Sequence, residues 1–146
     1  MDPYHWRPPP RLCAVIVIVT DASVLATALA DDGADGDRAR GRLSGHRLTA
    51  PELIDLEVLS VLRRHHRAGL LDNKRADLAL VDLVALPLKR VAHLPLVRRC
   101  WELRDTVTAY DAAYIALAEL VGCPLITADT KLASAPGIRC TVDVLR

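Results

Sequence analysis

Two short apolar runs in this chain each stop at an acid. Ala14 to Val19 leads into Thr20 and Asp21, and Pro124 to Ile126 leads into Thr127, Ala128 and Asp129. Unbroken apolar runs of this length, bounded by polar residues, read as strands buried on both faces, the habit of parallel sheets. In open α/β sheets ligands bind outside the carboxyl ends of the strands. Two strands that each deliver an acid at that edge are therefore placed to share one pocket.

Ionised carboxylates are rarely buried unless they are paired or hold a metal, because an uncompensated charge in low dielectric is costly. Two further acids keep apolar company. Glu57 lies in the run Leu53 to Leu62, with Leu53, Ile54, Ser60 and Val61 three and four residues away, so it borders an apolar helical stripe. Asp111 opens the apolar segment Ala112 to Val121. A divalent-cation pocket accounts for Asp21, Glu57, Asp111 and Asp129 together. Each also has a local alternative: Asp21 and Asp129 as helix N-caps, Glu57 as a boundary residue reaching for water, and Asp111 as the far member of a capping box begun by Thr108. Glu52 and Asp55 read more simply, as a capping residue and a first-turn acid favoured by the helix dipole.

The remaining pattern is one alternating α/β unit. Four prolines among residues 1–11 predict a flexible or polyproline-like tail over 1–12, leaving 13–146 as a single domain. Helices are expected at Ala22 to Ala30 and, after a polar break from Asp31 to Gly36, over an Arg-rich stretch ending near Ser44 and Gly45. A strand is expected at Arg47 to Thr49. Thr49, Ala50, Pro51 and Glu52 make a helix-start signature, with the helix running to about Ala68 and stopping at Gly69. Next come a helix at Asp72 to Ala85, a strand at Lys89 to Leu94 and a helix from Pro95 to about Arg104. A Thr108-capped helix over Ala112 to Val121 ends at Gly122, and strands near Leu125 to Thr127 and Ile138 to Val142 complete the set. Strands separated by one or two helices argue for a parallel sheet covered on both faces, a three-layer α/β/α sandwich.

A formal charge of +1 lacks the basic excess of an evident nucleic-acid binder, so any polyanion contact must come from local patches. Arg38, Arg40, Arg42 and Arg47, then Arg63, Arg64 and Arg67 with His65 and His66, then Arg98 and Arg99, are such clusters. A solvated surface is the plain alternative for each. Cys13, Cys100, Cys123 and Cys140 lack zinc spacing and read as reduced. The run Leu12 to Val19 with Ala26-Thr27-Ala28 imitates a signal peptide, but Asp21 interrupts it and the run is short, so a core strand in a cytoplasmic protein is expected. No apolar run approaches the length of a membrane span.

An all-oxygen acid cluster without His or Cys suits hard cations, Mg2+ or Mn2+ in its place. Such ions lower the pKa of a bound water and neutralise charge on a phosphodiester transition state, so hydrolysis of a phosphate ester is within reach of such a pocket. Asp21, Glu57 and Asp111 are the first-choice ligands, with Asp129 binding directly or through water.

Four segments carry a family likeness: Val19-Thr20-Asp21-Ala22-Ser23-Val24-Leu25, Pro51 leading to Glu57 through Arg64, Thr108-Ala109-Tyr110-Asp111-Ala112-Ala113-Tyr114 through Ala118, and Leu125-Ile126-Thr127-Ala128-Asp129. In this order they resemble PIN-domain motifs, and most nearly those of VapC toxins from bacterial type II toxin-antitoxin pairs, over about residues 14–145. The Tyr-Asp-Ala-x-Tyr segment is the most specific, and the proline-rich start departs from the pattern. The resemblance implies a PIN-like fold and an acidic quartet of Asp21, Glu57, Asp111 and Asp129, with Thr127 as the hydroxyl residue near the last acid. It also implies a Mg2+-dependent endoribonuclease that cuts structured tRNA or ribosomal RNA and inhibits translation and growth. A homodimer and a cognate VapB-like antitoxin come with it, operator DNA being reached only through the antitoxin. Arg38, Arg40, Arg42, Arg63, Arg64, Arg67 and Arg104 are the candidate RNA-backbone contacts. A DNA-cutting PIN nuclease, another Mg2+-dependent phosphoryl-transfer domain and a non-catalytic regulatory partner remain as alternatives.

Overall fold

The computed structural model describes residues 16–146; the expected tail at 1–12, Cys13 and the first residues of the expected first strand lie outside them. The described strands are β1 (Val17–Thr20), β2 (Arg47–Pro51), β3 (Leu88–Val91), β4 (Leu125–Thr127) and β5 (Val142–Val144). Between them run α1 (Ala22–Ala30), α2 (Ala34–Leu43), α3 (Ile54–Arg67), α4 (Asn73–Ala85), α5 (Val97–Glu102), α6 (Ala109–Val121) and α7 (Thr130–Ala133). A 3-10 turn at Leu94–Leu96 leads into α5.

All pairings are parallel, in the order β3-β2-β1-β4-β5. The expected three-layer α/β/α sandwich is what forms. The chain builds outward from β1 to β3 on one side, then returns to lay β4 against the other side of β1. That reversal opens a crevice beyond the carboxyl ends of β1 and β4, where the two strand-ending acids emerge. Ile18, Val19, Leu125 and Ile126 are wholly buried in these central strands, with Ile54, Ile115 and Leu117 from the helices above them. Helix α6 is buried from Ala112 through Ala118, its small residues letting it lie close to the sheet.

Several elements end where side chains hold the backbone. Asp72 accepts from Arg75 N (2.7 Å) to start α4, and Thr108 Oγ1 accepts from Asp111 N (3.2 Å) to start α6. Gly122 closes α6 with φ of +74°, a left-handed conformation that favours glycine. Helix α2 begins inside the expected polar break because Asp31 Oδ1 accepts from Gly33 N (2.7 Å). Gly36 lets α2 turn tightly against the end of α1: a Cβ there would stand 1.7 Å from the Asp31 carbonyl oxygen.

The structure corrects the helix start read at Thr49. Thr49, Ala50 and Pro51 continue β2, paired with Lys89, Arg90 and Val91, and the Thr49 hydroxyl donates to the Lys89 carbonyl (3.0 Å) instead of capping a helix. Glu52 has no capping task either; its N–H donates to Val91 O (2.9 Å). Helix α3 starts at Ile54, and the preceding Leu53 N–H is satisfied by His93 Nε2 (3.0 Å). The third strand stops at Val91, short of Leu94, because the 3-10 turn takes over. The last strand lies at Val142–Val144 instead of Ile138 to Val142. Gly137 has φ of +82° and Glu119 Oε1 captures Arg139 N (2.7 Å), which holds that stretch as a loop.

Cys100, Cys123 and Cys140 are free thiols, half-buried. Among the described residues no helix is long and apolar enough to cross a membrane.

Candidate active site

Each of the four acids sits at the start of a helix that leaves the carboxyl edge of the sheet. There the unpaired N–H groups and the helix dipole favour negative charge. Asp21 is the N-cap of α1: Oδ1 accepts from Val24 N (2.9 Å) and Ser23 Oγ (3.0 Å), and Oδ2 accepts from Thr127 Oγ1. Thr127 is completely buried and itself accepts from Asp129 N (3.0 Å), so one hydroxyl ties the end of β4 to the acid after β1. Asp129 is the N-cap of α7, accepting from Lys131 N (2.9 Å). Glu57 lies in the first turn of α3 and accepts from Tyr114 Oη (2.6 Å), and Asp111 lies in the first turn of α6. The cap readings of Asp21 and Asp129 are thus correct as geometry, and they aim the acids without consuming all of their lone pairs.

These carboxylates feel one another. Burial pushes the Asp21 carboxyl above its ordinary range, hydrogen bonds from Thr127, Val24 and Ser23 pull it back, and the Asp129 charge pushes it further up. Glu57 is raised by burial, opposed by the Tyr114 bond and reinforced by Asp111 and Asp21. Asp111 is raised by burial and then by Asp129 and Asp21, with Thr108 opposing. Like charges that raise each other are close together. Burial and the Glu57 charge also push the Tyr114 phenol upward, which keeps it a neutral donor.

The donor set, all oxygen, suits a hard divalent cation. Among the described residues no group of three or more His, Cys, Asp or Glu side chains is arranged to hold a metal ion. Mg2+ keeps several waters and is held through one or two carboxylates more often than by a dedicated protein cage, so one or two of these acids would suffice to hold it. A cavity of about 450 Å³ opens beside the site, with Asp111, Asp129, Arg104, Asp105 and Lys131 in its walls.

The arginine candidates divide. Arg38 pairs with Asp35 on the surface of α2. Arg40 donates to the carbonyls of Ala28 (3.0 Å) and Asp31 (2.7 Å), fastening α2 to α1, and Arg42 grips Asp143 (2.9 and 2.7 Å), fastening α2 to β5. Arg40 and Arg42 therefore have structural work. Arg63, Arg64 and Arg67 are exposed on α3, and Arg64, seven residues after Glu57, lies on the same side of the helix. Arg104 borders the acidic cavity directly.

Sequence reasoning missed four participants: Ser23, His93, Tyr114 and Lys131. For Tyr114 a signal existed, since a buried tyrosine needs a partner for its hydroxyl. Its partner, Glu57, lies 57 residues away.

A family model described as PIN domain matches residues 18–138. Ribonuclease VapC1 of Mycobacterium tuberculosis is 40% identical over 129 residues, 88% of this chain and 97% of the relative. Ribonuclease VapC9 of the same organism is 39% identical over 132 residues, 88% of this chain and 98% of its own. Among solved structures, PAE2754 from Pyrobaculum aerophilum superposes with a TM-score of 0.63 at 24% identity, covering 88% of this chain and 84% of that one. VapBC2 from Rickettsia felis, bound to a promoter DNA fragment, gives 0.64 at 11% identity over 89% of this chain and 99% of that one. At such identities these two likenesses speak for the fold alone.

Proposed function

Because the chain belongs to the PIN-domain family, and within it to the VapC ribonucleases, we propose that it is the toxin of a type II toxin-antitoxin pair. In this reading it hydrolyses RNA phosphodiester bonds with Mg2+, or Mn2+ in its place, held by Asp21, Glu57 and Asp111, with Asp129 binding directly or through water. The observation that carries the reading is the placement of Asp21 and Asp129 as helix caps just past the ends of β1 and β4, with Asp21, Glu57 and Asp111 each pushed up by burial and by neighbouring acids.

The bound ion supplies an activated water and neutralises charge on the phosphoryl oxygens. The protein's part is to aim its acids. Thr127, Ser23 and the Val24 N–H fix both oxygens of Asp21, and Tyr114 fixes one oxygen of Glu57. Thr127 acts by orienting Asp21 and Asp129 together. Hydrogen bonds that aim a metal-binding carboxylate typically change metal affinity or activity about 10–100-fold when lost.

The substrate is a structured tRNA or ribosomal RNA cut at an exposed loop, and the outcome is arrested translation and growth in the cytoplasm. A VapB-like antitoxin silences the enzyme, placing a basic side chain among the acids and an amphipathic segment on an apolar face. Leu78, Val81 and Val84, spaced along the exposed side of α4, supply such a face. The working form is a homodimer, and operator DNA is contacted only through the antitoxin.

The test is cleavage of matched RNA and DNA oligonucleotides by purified, antitoxin-free protein. RNA cleavage that needs Mg2+ and stops with a chelator is expected. Preference for the DNA strand, or cleavage unaffected by chelation, would overturn the reading.

A further inference from the structure

The chain holds only two Trp and three Tyr, with no Phe. Tyr4 and Trp6 lie outside the described residues; Tyr114 sits at the acidic site, and Trp101 and Tyr110 line the cavity next to it. Tyr114 is buried and holds Glu57, whereas Trp101 is 68% and Tyr110 65% exposed. The core is built from Leu, Ile, Val and Ala, so these two rings are spent outside it. A single exposed ring means little by itself. Here both rings line one cavity of about 480 Å³ between α5 and α6, floored by Leu96, Val107 and Ala113.

Two features connect that cavity to the acids. Arg104 and Thr108 belong both to its wall and to the wall of the cavity containing Asp111 and Asp129. Arg104 also lies over the Trp101 ring, Cζ 4.6 Å from the centroid, while donating to the Trp101 carbonyl (3.0 Å). The indole thus already accepts a flat, delocalised group. Lys131 lines the acidic cavity together with Arg104, so a polyanion reaching the carboxylates there meets two cations.

We propose that Trp101 and Tyr110 form a stacking platform for an unpaired nucleobase next to the scissile phosphodiester, with Arg104 at the junction contacting the backbone phosphate; this rests on the ribonuclease reading. Single-stranded RNA is recognised by splaying bases onto aromatic and guanidinium planes, and every base offers a π-face. The platform therefore selects unpaired over duplex RNA without dictating which base is read.

The experiment has two arms. In a full-length Trp6→Phe, Asp21→Asn protein, Trp101 is the sole tryptophan and RNA is bound without being cut. Titrating a single-stranded oligoribonucleotide quenches Trp101 fluorescence, and the same sequence as a duplex does not. In the cleavage-competent chain, Trp101→Ala and Tyr110→Ala raise KM for single-stranded RNA by roughly 5- to 150-fold with kcat nearly unchanged, and Trp101→Phe restores most of the loss. Light scattering follows the mass of each variant. An absent quench, an unchanged KM in both alanine variants, or a KM loss that tracks dissociation into monomers would overturn the platform, the last making this face a contact between copies. If the wild-type chain cuts no RNA, the ribonuclease reading fails, and the fluorescence arm still decides the platform.

Discussion

The acids of this protein live in two electrostatic regimes. Around the perimeter they are stapled by arginine. Arg75 forks onto Asp32 (2.9 and 3.0 Å), Arg90 onto Asp55 (2.7 and 2.9 Å), and Arg99 onto Glu119 (2.7 and 3.1 Å), each joining elements distant in the chain. The Arg75 bond holds the Asp32 carboxyl below its ordinary range. Burial pushes Glu119 up, but the Arg99 fork and the Arg139 N–H outweigh it and leave that group low as well. At the sheet's carboxyl edge the acids have hydroxyls, N–H groups and a phenol for partners, and Asp21, Glu57 and Asp111 all sit high. Arginine forks pair the acids that fasten helices, whereas no described ion pair engages Asp21, Glu57, Asp111 or Asp129.

The largest effect that can break this contrast is on activity. Asp21→Asn or Asp111→Asn is expected to reduce Mg2+-dependent RNA cleavage below detection, with circular dichroism unchanged; retained cleavage in both would empty the site of its proposed role. Tyr114→Phe removes the phenol that aims Glu57 and is expected to cost about 10–100-fold in cleavage, with a matching rise in the Mg2+ needed for half-maximal rate. At the perimeter the currency changes from rate to stability. Glu119→Gln is expected to lower unfolding free energy by about 1.5–3 kcal/mol, the range for losing charge-assisted hydrogen bonds, while cleavage at low temperature persists. The side chains of Arg99 and Glu119 are only 18% and 11% exposed, so solvent screens the pair weakly. A urea titration alongside the cleavage assay measures both.

The smallest expected effect is a pH dependence of opposite sign in the two regions. Asp21 has its folded pKa above the unfolded value, so its contribution is most favourable below the ordinary carboxylate range and is lost as pH rises through the folded pKa. Glu119, held low, contributes stability above that range and loses it as pH falls through its folded pKa. In metal-free protein the stability difference between Asp21→Asn and wild type should therefore grow from acid to neutral pH. The penalty of Glu119→Gln should shrink toward acid pH. Parallel trends in the two series would erase the distinction.

The strand acids were legible because a short apolar run ending in an acid is a local pattern whose consequence, the sheet edge, is general to parallel sheets. Thr108 and Gly122 were legible for the same reason: caps act within one turn. Thr49 misled because its local signature competes with a ladder to Lys89 and Arg90, residues that no local pattern joins to it. His93 under Leu53, Tyr114 on Glu57 and Arg42 on Asp143 are partners across 40, 57 and 101 residues, visible only once the sheet order is known. The arginine clusters were legible as charge but not as task. Arg40 and Arg42 turn inward to hold α2, whereas Arg64 is exposed on α3 and Arg104 borders the acidic cavity.

The central claim is that the sheet edge holds negative charge in reserve for a cation. Thermal melts of wild type and Asp21→Asn at neutral pH, with and without Mg2+, test it most directly. Asn is as good an N-cap as Asp, so the substitution removes charge while keeping the start of α1, its amide donating to Thr127 Oγ1 where the carboxylate accepted from it. Without metal the variant should melt above wild type, and Mg2+ should raise the wild type while leaving the variant nearly unmoved. A variant that melts lower without metal, together with equal Mg2+ shifts in both proteins, would contradict the account.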